Sequence, residues 1–150
     1  MNGWIKIDVL SEGVHSGSSS GIVPNTFRIL RKLLDRLEDQ ETGDMSPELN
    51  INVPPNRYKE LYQCAELLGE KAVTEFPFVP GAERVNKDVL KTLILNGWRA
   101  QMAVTCLTGY PTPDKAGNVM LPWVEAKISI RLPPTMDRTK AEAYFVKTLT

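Results

Sequence analysis

The sequence contains one histidine, His15, and two cysteines, Cys64 and Cys106, in 150 residues. A catalytic zinc centre needs several converging His, Cys, Asp or Glu ligands, usually with more than one histidine among them. There is no His-x-Asp pair and no Cys-x-x-Cys, so the chain is expected to hold no metal by itself. The two cysteines fall in an expected helix and an expected strand without the spacing of a disulfide framework, which reads as two reduced thiols in a cytoplasmic protein. Net charge is also missing: 18 Lys and Arg balance 18 Asp and Glu. That leaves no bulk attraction to nucleic acid or to an anionic membrane, and neither is expected as a partner. No apolar run approaches the roughly 18 residues of a membrane span, and Met1-Asn2-Gly3-Trp4 lacks the basic segment and apolar core of a secretory signal. Gly13, Gly17 and Gly21 make no phosphate loop, because no lysine follows them.

What is present is ordinary globular material, enough for one domain with its own core. Trp4 to Leu10 alternates, with Ile5, Ile7 and Val9 on one face and Lys6 and Asp8 on the other, the pattern of a half-buried strand. Val14-His15-Ser16-Gly17-Ser18-Ser19-Ser20-Gly21 follows as a loop, in which Gly17 and Gly21 tolerate positive φ and allow close approach to a ligand. Pro24 and Asn25 suit a helix start, and Phe27, Leu30, Leu33, Leu34 and Leu37 form one helical stripe that is expected to run to Gly43.

Residues 44–97 read as a helical insertion. Asn56 is placed to cap a helix in which Tyr58, Leu61, Tyr62, Ala65 and Leu68 share a face, and a shorter helix is expected over 87–95. Trp98 to Thr108 alternates with Trp98, Ala100, Met102, Val104 and Cys106 on one face. Val124 to Leu132 alternates most cleanly, with Val124, Ala126, Ile128, Ile130 and Leu132 inward, and Pro133-Pro134 ends it. Asp137 caps a last helix through Ala141, Tyr144 and Phe145. The order strand, helix, insertion, strand, strand, helix is one strand short of a split β-α-β unit, so the fold class is α+β: an antiparallel sheet with helices on one face. The abrupt ends suggest a domain excised from a longer chain.

Few residues can carry chemistry. His15 is either an ordinary surface histidine or a donor to an oxygen that becomes negative in a transition state. Arg131 is either a solvated residue on the polar face of its strand or a planar fork for a carboxylate. Asn118, in the loop before that strand, offers an amide donor. A Ser-His-Asp triad from Ser16 or Ser18 with Asp8 is formally possible, but nothing resembles a nucleophile elbow.

Three segments together resemble the lid, or dimerisation, domain of the di-zinc aminoacylase/carboxypeptidase family of metallopeptidases. They are His15-Ser16-Gly17 with its small-residue run and Pro24-Asn25, the stretch from Asn118 to Pro122, and Lys127-Ile128-Ser129-Ile130-Arg131-Leu132-Pro133-Pro134. The likeness is strongest to the branch containing carnosine dipeptidase, whose lid carries a comparable helical insertion. The resemblance implies a ferredoxin-like two-layer sandwich inserted in a catalytic domain that binds two zinc ions, so that the zinc belongs to polypeptide outside these residues. It implies a homodimer formed through this domain and a peptide or N-acyl amino acid substrate. The lid histidine, by position His15, would stabilise a tetrahedral intermediate, often in the neighbouring subunit's centre. Arg131 would bind the substrate's terminal carboxylate and Asn118 would assist. The fragment alone would be inactive. A stand-alone dimeric module for a small ligand, or a purely structural oligomerisation domain, is the competing reading.

Overall fold

A computed structural model describes residues 1–73 and 75–150. In chain order its elements are β1 (Asn2–Asp8), β2 (Val14–His15), the single-turn α1 (Ser16–Ser19), α2 (Thr26–Leu34), α3 (Pro55–Leu68), α4 (Val89–Trp98), β3 (Gln101–Thr108), β4 (Val119–Met120), β5 (Trp123–Arg131) and α5 (Arg138–Leu149). β5 is the centre of an antiparallel sheet ordered β1-β5-β3, and β2 and β4 form a separate two-stranded ribbon. The register sets Gly3 opposite Ile128, Ile5 opposite Ala126 and Ile7 opposite Val124. Period-two alternation therefore sends all of these apolar side chains to one face. There they pack with Leu30 of α2, with Leu37 just after it, and with Ala141 and Phe145 of α5. Leu30 is 1% exposed, and its truncation to alanine is expected to cost about 2–5 kcal/mol through lost burial and a cavity.

The opposite face of the sheet is open. Trp4, Lys6 and Asp8 are exposed on it, and cross-strand pairs order it: Lys127 Nζ lies 5.6 Å from the Trp4 ring centroid and Lys6 Nζ lies 5.8 Å from that of Trp123. The result is the α+β, ferredoxin-like architecture expected, with helices on one side of an antiparallel sheet.

Several boundaries differ from the expectation. α2 starts where Asn25 Oδ1 accepts from Arg28 N at 2.9 Å, but it ends at Leu34 rather than near Gly43. Its last turn tightens into bonds from Arg36 N to Leu33 O and Leu37 N to Leu34 O, and Glu38 then pairs with Met45 across a turn. Asp39 Oδ1 closes that turn by accepting from Glu41 N and Thr42 N, a competing hydrogen-bond scheme of the kind Asp offers a backbone. Trp98 belongs to α4, not to the following strand. A bulge between Val104 and Cys106 shifts the β3 register, so that Cys106 lies opposite Lys127 and Leu107 opposite Ala126. Cys106 thereby changes face relative to Val104, which the simple alternation does not anticipate.

The insertion is thinly buried. Neither α3 nor α4 has a fully buried residue, and Tyr58, Tyr62 and Leu68, expected on an inward face, are exposed. α3 starts with Pro55 at its first position and has no side-chain cap, in place of the Asn56 cap. Polar anchors tie the insertion to the sheet: Ala100 N donates to Asn50 Oδ1 at 2.9 Å, and Arg99 Nη1 to Ile51 O at 2.7 Å. Among the described residues no helix is long and apolar enough to cross a membrane.

Candidate functional site

The serine run is not an unstructured loop. Ser16 to Ser19 form one helical turn, and His15 is its cap: the imidazole Nδ1 accepts from Gly17 N at 3.1 Å. An accepting Nδ1 places the ring proton of the neutral imidazole on Nε2, the nitrogen left free for another partner. Gly17 is required for this contact. A Cβ there would lie 2.9 Å from His15 Cε1 and 3.1 Å from Nδ1. Gly17 does not use positive φ as the sequence suggests, whereas Gly21 does, at 82°.

The serine hydroxyls turn back on their own backbone. Ser18 Oγ and Ser19 Oγ donate to His15 O at 3.0 and 2.9 Å, and Ser20 Oγ donates to Ser16 O at 2.7 Å. Asp8 pairs with Lys6 Nζ at 3.0 Å. The formal triad from Ser16 or Ser18 with His15 and Asp8 is not assembled: Asp8 pairs with Lys6 and makes no hydrogen bond to His15, and the Ser18 hydroxyl donates to the His15 carbonyl. The Ser18 and Ser19 hydroxyls hold the turn that presents the imidazole.

The β2–β4 ribbon brings Asn118 to the same place. His15 pairs with Val119, and Ser16 N donates to Asn118 O at 2.8 Å. The Asn118 side chain is exposed and makes no hydrogen bond among the described residues. Two-residue strands leave no periodic signal, which is why this adjacency is invisible in the sequence.

Arg131 is elsewhere. It is the last residue of β5, opposite Gln101, while the His15 ribbon joins the sheet at the other end, where Val9 N and Leu10 N donate to Pro122 O. Eight residues separate Trp123 from Arg131 along one strand, a distance of roughly 26 Å at about 3.3 Å per residue. Arg131 is exposed. Among the described residues its guanidinium has no hydrogen bond or ion pair, in contrast to Arg36, Arg57, Arg84 and Arg99.

Among the described residues no three His, Cys, Asp or Glu side chains group so as to hold a metal ion. Cys64 and Cys106 are free and half-buried. Two perturbed carboxyls lie at the turn after α2, and a third, Glu70, is held below its ordinary range by the Arg84 guanidinium. Burial pushes Glu38 above its ordinary range. The Thr42 backbone N–H, then the Thr42 hydroxyl and the Glu41 N–H, hold Asp39 below it.

A groove that the sequence did not single out lies beside the His15 ribbon, lined among others by Tyr110, Pro111, Val119, Leu121 and Trp123. Its one sequence signal is Gly109, whose φ of 97° leaves no room for a side chain: a Cβ would lie 2.6 Å from the Trp123 carbonyl oxygen.

No curated protein matches the sequence. Solved structures do. The dipeptidase Dug1p of Saccharomyces cerevisiae superposes with a TM-score of 0.71 at 20% identity, covering 99% of this chain and 31% of its own. A metallo-carboxypeptidase of the M20 family from Sulfolobus solfataricus gives 0.69 at 16% identity, covering 99% and 38%. Human carnosine dipeptidase 1 gives 0.69 at 21% identity, covering 99% and 32%. The chain thus spans about a third of the length of these structures. The family described as peptidase dimerisation domain matches residues 1–150. With the fold and the family match in agreement over the whole chain, this protein belongs to the dimerisation-domain family of the M20 metallopeptidases.

Proposed function

We propose that this chain is the lid of a two-domain zinc peptidase that hydrolyses dipeptides or N-acyl amino acids and works as a homodimer through this domain. His15 donates from Nε2 to the carbonyl oxygen as it becomes negative, Arg131 holds the substrate's terminal carboxylate, and Asn118 adds a donor beside His15. The observation that carries this reading is the use of Nδ1 by Gly17 N. It leaves a fixed outward donor, and donors held in place before the reaction are worth most at a developing oxyanion.

The spacing of His15 and Arg131 supports a centre shared between subunits. A dipeptide spans about 7 Å, far less than the length of β5, so the two side chains do not meet one substrate within a single chain. A two-fold dimer can bring His15 of one protomer toward Arg131 of the other, because an isologous interface relates the two ends reciprocally. The outer edge of β3 is unpaired, and Val104 and Leu107 on it are 47% and 43% exposed, which suits pairing with a second copy. Among the described residues no group of three His, Cys, Asp or Glu is placed to hold a metal ion. The zinc of this reading is bound by the catalytic domain, and the roles assigned above need only this chain's own residues.

The test is steady-state kinetics on the full-length enzyme. His15→Ala is expected to lower kcat by about 100–1000-fold with KM little changed. An unchanged kcat would remove the catalytic role.

A further inference from the structure

The groove beside the His15 ribbon has a volume of about 650 Å³, and Lys115 is the single charged residue in its lining. Its relation to His15 follows from the strand register. His15 stands directly opposite Val119, and opposed residues of an antiparallel pair project from the same face. Val119 lines the groove together with Leu121, so the imidazole and one of the groove's apolar walls share one face of the ribbon. Gly13 keeps that face open, since a Cβ there would meet Val119 Cγ1 at 2.8 Å.

The groove is also held in shape from outside. Tyr110 packs edge-on against Phe27 at the start of α2, with centroids 6.1 Å apart. Lys6 lies over the Trp123 ring. The glycine backbone at position 109 lets the end of β3 close onto Trp123. A concave, largely apolar surface that is already formed is the usual design of a ligand pocket.

We infer that this groove is the side-chain subsite of the reaction centre that His15 serves, and that it takes a bulky apolar or aromatic side chain of the substrate. The inference rests on the oxyanion role given to His15 above. The lining contributes aromatic and aliphatic surface but no carboxylate to receive a basic side chain, and Lys115 repels one. The groove sets which substrate residue is preferred, while Arg131 at the far end of β5 reads only the terminal carboxylate.

The experiment measures kcat/KM of the full-length enzyme on two dipeptides that differ only in carrying Phe or Ala at the residue whose carbonyl is attacked. Tyr110 is 45% exposed, so Tyr110→Ala is expected to fold normally. It should lower the Phe-to-Ala preference by about tenfold. Val119→Thr keeps the β-branched shape but adds a hydroxyl to the wall, and should lower the same ratio about threefold. If either variant is destabilised, the other decides. An unchanged ratio in the folded variants would overturn the subsite while leaving the His15 reading intact. Loss of the His15→Ala effect would instead overturn the reading on which the subsite depends.

Discussion

The two ends of β5 are built by opposite means. At the Trp123 end nearly every polar group near His15 is committed: Nδ1 to Gly17 N, the His15 carbonyl to two serine hydroxyls, Ser16 N to the Asn118 carbonyl. At the Arg131 end a guanidinium sits exposed and unpaired among the described residues, one residue before Leu132 and the Pro133-Pro134 stop. The difference matches what the proposed roles ask of each group. A donor to a transition state must be fixed before the reaction, since reorganisation at that moment costs rate. A carboxylate clamp can stay loose until the substrate arrives, because a planar five-donor fork and full charge find their partner over a wide range of poses.

The comparison can be broken from either side. The largest effect belongs to the rigid end, where loss of the imidazole should fall on kcat as given above. The loose end should fall on binding: Arg131→Ala is expected to raise KM by about 10–100-fold for substrates with a free terminal carboxylate, at nearly constant kcat. The same variant should leave the KM of an amidated substrate unchanged, and a fall in kcat with both substrates would contradict the assignment. Next, Gly17→Ala tests whether rigidity itself matters. The added methyl pushes on a side chain rather than on backbone, so the fold should hold while the imidazole shifts, and kcat should drop about tenfold. Wild-type kcat in that variant would mean the Gly17–His15 contact is incidental.

The smallest effect lies in the turn after α2. Burial raises the pKa of Glu38, so the folded state binds its proton more tightly than the unfolded chain does. Stability from this group is therefore present below the ordinary carboxyl range and is lost as pH rises through the raised folded value. Glu38→Gln should raise Tm at pH 7 by no more than about 2 °C, and the gain should vanish at pH values below the ordinary carboxyl range. Thermal melts at the two pH values check it, and kcat should not move.

Much of this fold is legible in the sequence wherever one face of an element is buried. β1 and β5 announce themselves because Ile5, Ile7, Val124, Ala126, Ile128 and Ile130 all face one core, and burial of one face fixes both periodicity and register. The starts of α2 and α5 are equally plain, since Asn25 and Asp137 are side-chain caps within a residue of the expected boundary. The end of α2 is not, because its leucine stripe continues in phase into a non-helical turn: Leu37 is fully buried although it lies outside the helix. The insertion misleads differently. Its helices form, yet they press on little, so a shared apolar face at Tyr58 and Tyr62 implies no core contact.

The site follows the same logic. His15, Asn118 and Arg131 each stand out as residue types, but two-residue strands decide that the first two are neighbours and the full length of β5 decides that the third is not. Gly17 looks like a conformational hinge in the sequence and is a contact surface for an imidazole in the fold. The groove at Tyr110 and Trp123 has no linear signature beyond Gly109. Its walls come from β4, β5 and the loop after β3, and only the tertiary approach at Gly109 joins them.

The claim on which the account turns is that His15 and Arg131 complete one centre only across two subunits. Mixing full-length His15→Ala with full-length Arg131→Ala, each assayed on a free-carboxylate substrate well below the wild-type KM, where both variants are strongly impaired, and allowing subunits to exchange measures this directly. A shared centre predicts recovery of up to about a quarter of wild-type activity, because half of the dimers are mixed and each mixed dimer has one intact centre. Mixtures that stay as inactive as the separate variants after proven subunit exchange would contradict it.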